Sequence, residues 1–398
     1  MISRPMHFHT VPAFSDAALQ KAFEAPLCAY GRVNSHSELC GSAAFLYLLL
    51  YYRHNDAATF ADGTSVRARI FAHFRTLIMP GHEPGMCAGP YWGYPLTAAA
   101  LTLLRKTPSL WDVLSAEEQG KADDIMRCFA VQCAWATNDC NDFWTGPELA
   151  GNYRKGWNPN HRSPGVLPIM FAVTYFGSAD TVNDILLRFD YDAFTAHLAD
   201  IGFTSALASV TKAGKKLMEE GGACTLLDGT PAGEGKGIRA PYVYRGIPLS
   251  DTEGLLDEIL LQNCCGGKVV DEVFDEKGNR LAYLLDGSSP VLGEEGMMTE
   301  FVSHDAKGMR SDISYCSANF CILIPTAAAA AELGIWSPDA DKNKKAATLT
   351  AVSTVDFLYK MVHGYYSFSH GKGRKTDETN APHGAYPFAK DLWYAYFA

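Results

Sequence analysis

The sequence predicts an all-α protein, an (α/α) toroid or incomplete barrel with a small β-hairpin excursion. Three observations lead there. Apolar residues recur at helical spacing along most of the chain, giving about ten helical segments. Long polar connections at 79–93, 138–164 and 221–248 separate those segments and suit loops that build a cleft at one end. Only one stretch alternates as strands do, and no repeating period of the kind an α-solenoid requires is visible.

The elements follow in order. A first long helix is expected over 36–53, and in the next Val66, Ile70, Phe71, Phe74, Leu77 and Ile78 share one face. Segment 94–105 follows the aromatic loop Pro90-Tyr91-Trp92-Gly93-Tyr94. Ser115-Ala116-Glu117-Glu118 has capping-box spacing, the Ser hydroxyl serving the backbone and the Glu returning to the cap. It starts a helix whose apolar face holds Ile125, Met126, Phe129 and Cys133. Further helices are expected at 165–176, 179–188, 191–212, 251–263, 313–333 and 346–363, bounded by Gly- and Pro-rich connections. Lys268 to Gly287 alternates around Glu276-Lys277-Gly278-Asn279 and reads as two strands with a Gly turn. No Pro/Gly/Ser-rich linker divides the chain, so residues 1–398 are expected to form a single domain.

Composition narrows the function. The 398 residues are 47% hydrophobic and 20% charged, enough for a large core. A net charge of −10 argues against a nucleic-acid partner, which needs a concentrated basic face. It leaves room for an anionic ligand, because a few Arg and Lys in a cleft set the local potential. Eleven cysteines without a C-x-x-C pair make a zinc framework improbable and read mostly as small hydrophobes, with one or two disulfides left open. Apolar runs fall short of the ~20 residues that span a bilayer, so no membrane partner is expected. Met1-Ile2-Ser3-Arg4-Pro5 is no secretory leader, so a secreted or periplasmic location would require one absent from this chain, and a cytoplasmic one stays open.

The chemistry concentrates in Gly156-Trp157-Asn158-Pro159-Asn160-His161-Arg162-Ser163-Pro164-Gly165. Within ten residues stand an aromatic platform, two carboxamides, an imidazole and a guanidinium, a mixture suited to an anionic sugar. Eliminative cleavage of a polyuronate removes the C5 proton beside the carboxylate and expels the C4-linked oxygen. Donors must offset the charge that accumulates on that carboxylate, and Asn160, His161 and an Arg are of the required type. One Tyr can serve as base and acid if both atoms lie on the same face of the sugar. A phenolate near pH 7 costs roughly 4 kcal/mol unless a cation lowers the pKa, and Arg310, close to Tyr315, supplies a candidate.

Asn160-His161 followed by Arg310 and Tyr315 resembles the Asn/His/Arg/Tyr constellation of the α/α-toroid alginate lyases. The Trp157–Arg162 block is similar to polysaccharide lyase family 38, which includes alginate and glucuronan lyases. The resemblance implies an (α/α)-barrel, elimination without metal or other cofactor, Tyr315 as base and acid, and an anionic polysaccharide substrate. One departure stands out: the interval from Arg310 to Tyr315 is five residues, where the better-known alginate lyases have seven. Five residues turn about 140° on a regular helix, so the pair needs Asp312 to cap a helix starting at Ile313, with Arg310 in the preceding loop.

Other residues enter as substrate contacts: Trp157, Asn158 and Arg162 in the first block, Tyr91 and Trp92, His304, and Arg239 with Tyr242 and Tyr244, whose phenols are alternatives to Tyr315. Plain readings stand beside these. Asn160-His161 also fits a turn with a helix cap, Tyr315 a core aromatic beside Cys316 and Phe320, and His304 a turn. Two further functions stay open. One is a glycoside hydrolase drawing two carboxylates from Asp139, Asp142, Glu148, Glu294, Glu295 and Glu300. The other is a glycan-binding protein without catalysis.

Overall fold

The structure, a computed structural model, describes residues 14–28, 36–79, 93–137, 159–188, 190–200, 240–244, 246–260, 269–274, 280–285, 291–292, 298–299, 313–337 and 385–397. Its helices are α1 (Asp16–Glu24), α2 (His36–His54), α3 (Val66–Leu77), α4 (Gly93–Arg105), α5 (Pro108–Trp111), α6 (Ala116–Thr137), α7 (Pro159–Phe176), α8 (Ala179–Leu187), α9 (Tyr191–Asp200), α10 (Thr252–Leu260), α11 (Ile313–Glu332) and α12 (Tyr386–Tyr396). The all-α class with a β excursion holds. Strands β1 (Val243–Tyr244) and β2 (Ile247–Pro248) pair antiparallel. The excursion is larger than a hairpin. Strands β3 (Val269–Phe274) and β4 (Arg280–Leu285) are the expected pair, and β5 (Val291–Leu292) and β6 (Met298–Thr299) extend them to an antiparallel sheet in the order β3-β4-β5-β6. Two-residue strands carry no readable alternation, which is why sequence periodicity misses them.

Local chemistry starts the helices. Ser15, Ser65 and Ser178 each accept a backbone N–H at an N-cap. The capping box is formed: the Ser115 N–H donates to Glu118 Oε2 at 2.9 Å, and the Glu118 N–H to Ser115 Oγ at 3.2 Å. One start differs. Helix α7 begins at Pro159, six residues before the expected 165, because Pro is at home in a first turn, where its missing N–H has no intrahelical partner to lose. The expected helix at 346–363 lies outside the described residues.

Burial sorts the helices into two layers. Residues 39–50 of α2, 93–104 of α4, 165–172 of α7 and 321–330 of α11 are buried all round, the mark of helices surrounded by others. By contrast α3, α6, α8 and α10 bury one stripe each, such as Val66, Ile70, Phe74 and Leu77 of α3. The inner helices pack on one another, α4 and α11 each touching the other three, while α3 packs on α2 and α6 on α7.

Polar contacts fix the directions. Arg53, at the end of α2, bonds the Lys106 carbonyl and Thr107 just past α4, and pairs at 2.9 Å with Glu332, the last residue of α11. His54 and the Tyr396 hydroxyl also meet Glu332, each at 2.9 Å. Thr102 of α4 donates to the Phe171 carbonyl of α7, and Arg105 lies 4.4 Å from the Tyr175 ring centre. The C-terminal ends of α2, α4, α7 and α11 therefore share one end of the assembly, and the inner helices run parallel. Helix α3 runs the other way, since Arg67 in its first turn donates to the Ser109 carbonyl beyond the end of α4. This inner-outer, up-down alternation is the building rule of an α/α toroid.

His73 of α3 lies in the core, stacked at 5.8 Å on Phe45, and its Nδ1 accepts the Cys28 N–H at 3.2 Å. That assigns the proton to Nε2, which has no hydrogen-bond partner among the described residues. Burial, aided by the charge of Arg69, lowers its pKa from 6.5 to about 3. The unfolded chain therefore takes up the proton first, and stability declines as pH falls below 6.5 and keeps declining until about 3. His73→Asn, which keeps an acceptor near Nδ1, is expected to remove on the order of 2–3 kcal/mol of the loss between pH 6.5 and 4 in denaturant titrations. An unchanged acid limb would place that loss elsewhere.

Candidate functional site

Four of the predicted residues lie on helix starts at the end opposite those pins. Asn160, His161 and Arg162 occupy the first turn of α7, immediately after Pro159. Tyr315 is the third residue of α11, whose first residue is Ile313, the start that the Arg310–Tyr315 spacing requires. Tyr91 and Trp92 immediately precede Gly93, where α4 begins.

Heights follow from the helical rise of about 1.5 Å per residue. Counted back from the Thr102–Phe171 bond, Gly93 and Asn160 stand about 14 and 16 Å along their helices, near one level. Counted back from Glu332 and Thr107, Tyr315 falls within about one helical turn of that level. Since α7 packs on α11, the two motifs, 155 positions apart in sequence, start neighbouring helices at one end of the inner layer.

Two backbone features belong to this end. Inner helices begin here, so several N-terminal dipole ends point the same way and favour an anion over a cation. In α7, Pro164 has no N–H to return to the Asn160 carbonyl, which leaves that acceptor outside the helical ladder.

Other predicted residues sit differently. Tyr242 precedes β1 and Tyr244 ends it, and they are 3% and 2% exposed. The Tyr242 hydroxyl lies 2.6 Å from Thr137 Oγ1, and its N–H donates to Asn183 Oδ1 at 2.8 Å. Trp157, Asn158, Arg239, His304 and Arg310 lie outside the described residues, as do the hydrolase candidates Asp139, Asp142, Glu148, Glu294, Glu295 and Glu300. Among the described residues, no three His, Cys, Asp or Glu gather as a metal site, and no single helix is long and apolar enough to cross a membrane. Burial raises the thiol pKa values of Cys40, Cys128, Cys133 and Cys321, as befits packing residues.

Sequence reasoning passed over Thr137 and Gly165, which bring the end of α6 against the start of α7. A glycine inside an apolar helical run is the signal that points to such an approach.

The fold is a two-layer α/α protein, with Asn160, His161, Arg162 and Tyr315 in the first turns of two inner helices. No protein-family model matches the chain, and no solved structure matches it. Among curated proteins, a gellan lyase from Bacillus sp. is 29% identical over 395 residues, taking in 93% of this chain. The chain spans 15% of that relative's length.

Proposed function

We propose that this chain is a polysaccharide lyase module that cleaves a uronate-containing polymer by β-elimination. The observation that carries the reading is the similarity to gellan lyase across 93% of the chain. Lyase chemistry on a polysaccharide calls for a hydrogen made acidic by a neighbouring carboxyl group, hence a uronic acid in the polymer. The start of α7 supplies the residue types for that acid: Asn160 and His161 as donors to the carboxylate, helped by the helix dipole and by Arg310.

Tyr315 is the proposed base and acid. Its phenolate takes the C5 proton, the electrons of that C–H bond form the C4=C5 double bond, and the C4–O bond breaks with its pair leaving on oxygen. The phenol then returns the proton to that oxygen, which leaves Tyr315 ready for another turn. Trp157, Asn158 and Arg162, with Tyr91, Trp92 and His304, are the proposed sugar contacts.

The test is a panel of gellan, alginate blocks, glucuronan and hyaluronan, followed by ultraviolet absorbance and reducing ends together. A lyase raises both on at least one polymer. Reducing ends without absorbance would establish a hydrolase, and retention on a polymer with neither signal would establish a binding protein. On the polymer that is cut, Asn160→Ala and His161→Ala are each expected to lower kcat/KM by about 10²–10³-fold, the usual effect of losing one donor to developing charge. Wild-type values in both variants would remove the carboxylate role from this turn.

A further inference from the structure

Where α6 ends and α7 enters its second turn, two backbones approach closely. A Cβ built on Gly165 would meet Thr137 Cγ2 at 2.9 Å, too near for any ordinary contact. Thr137 is the last residue of α6 and is 3% exposed. Its hydroxyl donates to the Cys133 carbonyl at 2.6 Å. A hydroxyl has one hydrogen to give, so Tyr242, at 2.6 Å, donates to Thr137 Oγ1. Tyr242 is anchored again through its backbone N–H, which donates to Asn183 on α8. Three segments thus hold one methyl group against one glycine, about 8 Å along the helix from Asn160.

We propose that Thr137, Gly165 and Tyr242 form a clasp of positioning residues that sets where the first turn of α7, with Asn160 and His161, stands against the other inner helices. The clasp touches no substrate. Its catalytic consequence rests on the lyase reading: a carboxylate clamp displaced by about 1 Å loses on the order of 10²-fold in rate.

Gly165→Ala drives a methyl into Thr137 Cγ2, whereas Thr137→Ser deletes only that methyl and keeps the hydroxyl. Tyr242→Phe keeps the ring and removes the bond. In amide hydrogen exchange followed by mass spectrometry, peptides covering the first three turns of α7 are expected to exchange about tenfold faster in Gly165→Ala and Tyr242→Phe. The pair Gly165→Ala/Thr137→Ser is expected to return them to the wild-type rate. On a polymer that is cut, Tyr242→Phe is expected to lower kcat by about 10–100-fold with KM changed less than about threefold, and to add little on an Asn160→Ala background. Unchanged exchange, a paired variant no better than Gly165→Ala, or a full Tyr242→Phe loss on the Asn160→Ala background would each overturn the clasp. Exchange that responds as expected, in a chain yielding no unsaturated product from any polymer, would uphold the clasp and remove the lyase reading.

Discussion

Tyr315→Phe is expected to leave the far-ultraviolet circular dichroism, the melting temperature and retention on the polymer at wild-type values, while eliminative turnover falls by about 10²–10⁴-fold. The ring is kept and only one oxygen is lost. The substitution adds no bulk and leaves the backbone hydrogen bonds of α11 untouched. In the proposed mechanism the loss falls on kcat, because the hydroxyl would accept and then donate the proton only as the bonds at C4 and C5 change. Normal turnover in this variant would assign the proton transfer to another phenol. Tyr242 is a poor substitute, since its hydroxyl is committed to Thr137.

Glu332→Ala is expected to destabilise the protein by about 2–3 kcal/mol, the range for losing charge-assisted hydrogen bonds in a half-buried cluster. Glu332 accepts from Arg53 and Tyr396 and meets His54, so the variant leaves these groups without a shared acceptor. Burial pulls the Glu332 carboxyl upward, but hydrogen bonds from Arg53, His54 and Tyr396 outweigh it and hold the group below its usual 4.5. A depressed carboxyl stabilises the fold above its unfolded pKa, so this contribution is complete above about pH 4.5 and vanishes as pH falls through the folded value. Chemical denaturation at pH 7 and at pH 3 separates the terms: the gap between wild type and Glu332→Gln should narrow in acid. A gap independent of pH would mean that the carboxylate charge contributes nothing to the joint.

Much of this architecture is legible one segment at a time. Runs such as Ala43 to Leu50 and Leu96 to Leu104 are apolar on every side, and Ser115 with Glu118 announces a helix start. Direction and height are not legible, because they depend on pairs such as Arg53 with Glu332 and Ser15 with Asp391, which no local pattern marks. The same division runs through the site. Asn160, His161 and Tyr315 attract notice by their chemistry, but their arrival at one level follows from the parallel packing of α7 and α11. The clasp is hidden for a different reason: one threonine and one glycine are unremarkable letters until coordinates bring them together. Pro164 misleads, since it reads as a helix boundary yet sits inside α7.

Parallel inner helices tied together at their tails keep the joint that holds them far from the starts of α4, α7 and α11. Substitutions around Arg53, Glu332 and Tyr396 are therefore expected to appear as lost melting temperature. On the lyase reading, exchange of the segments ahead of α4, α7 and α11 between relatives is expected to change which polymer is cut. A chimera carrying a relative's residues 138–158 should melt with its parent while preferring the donor's polymer.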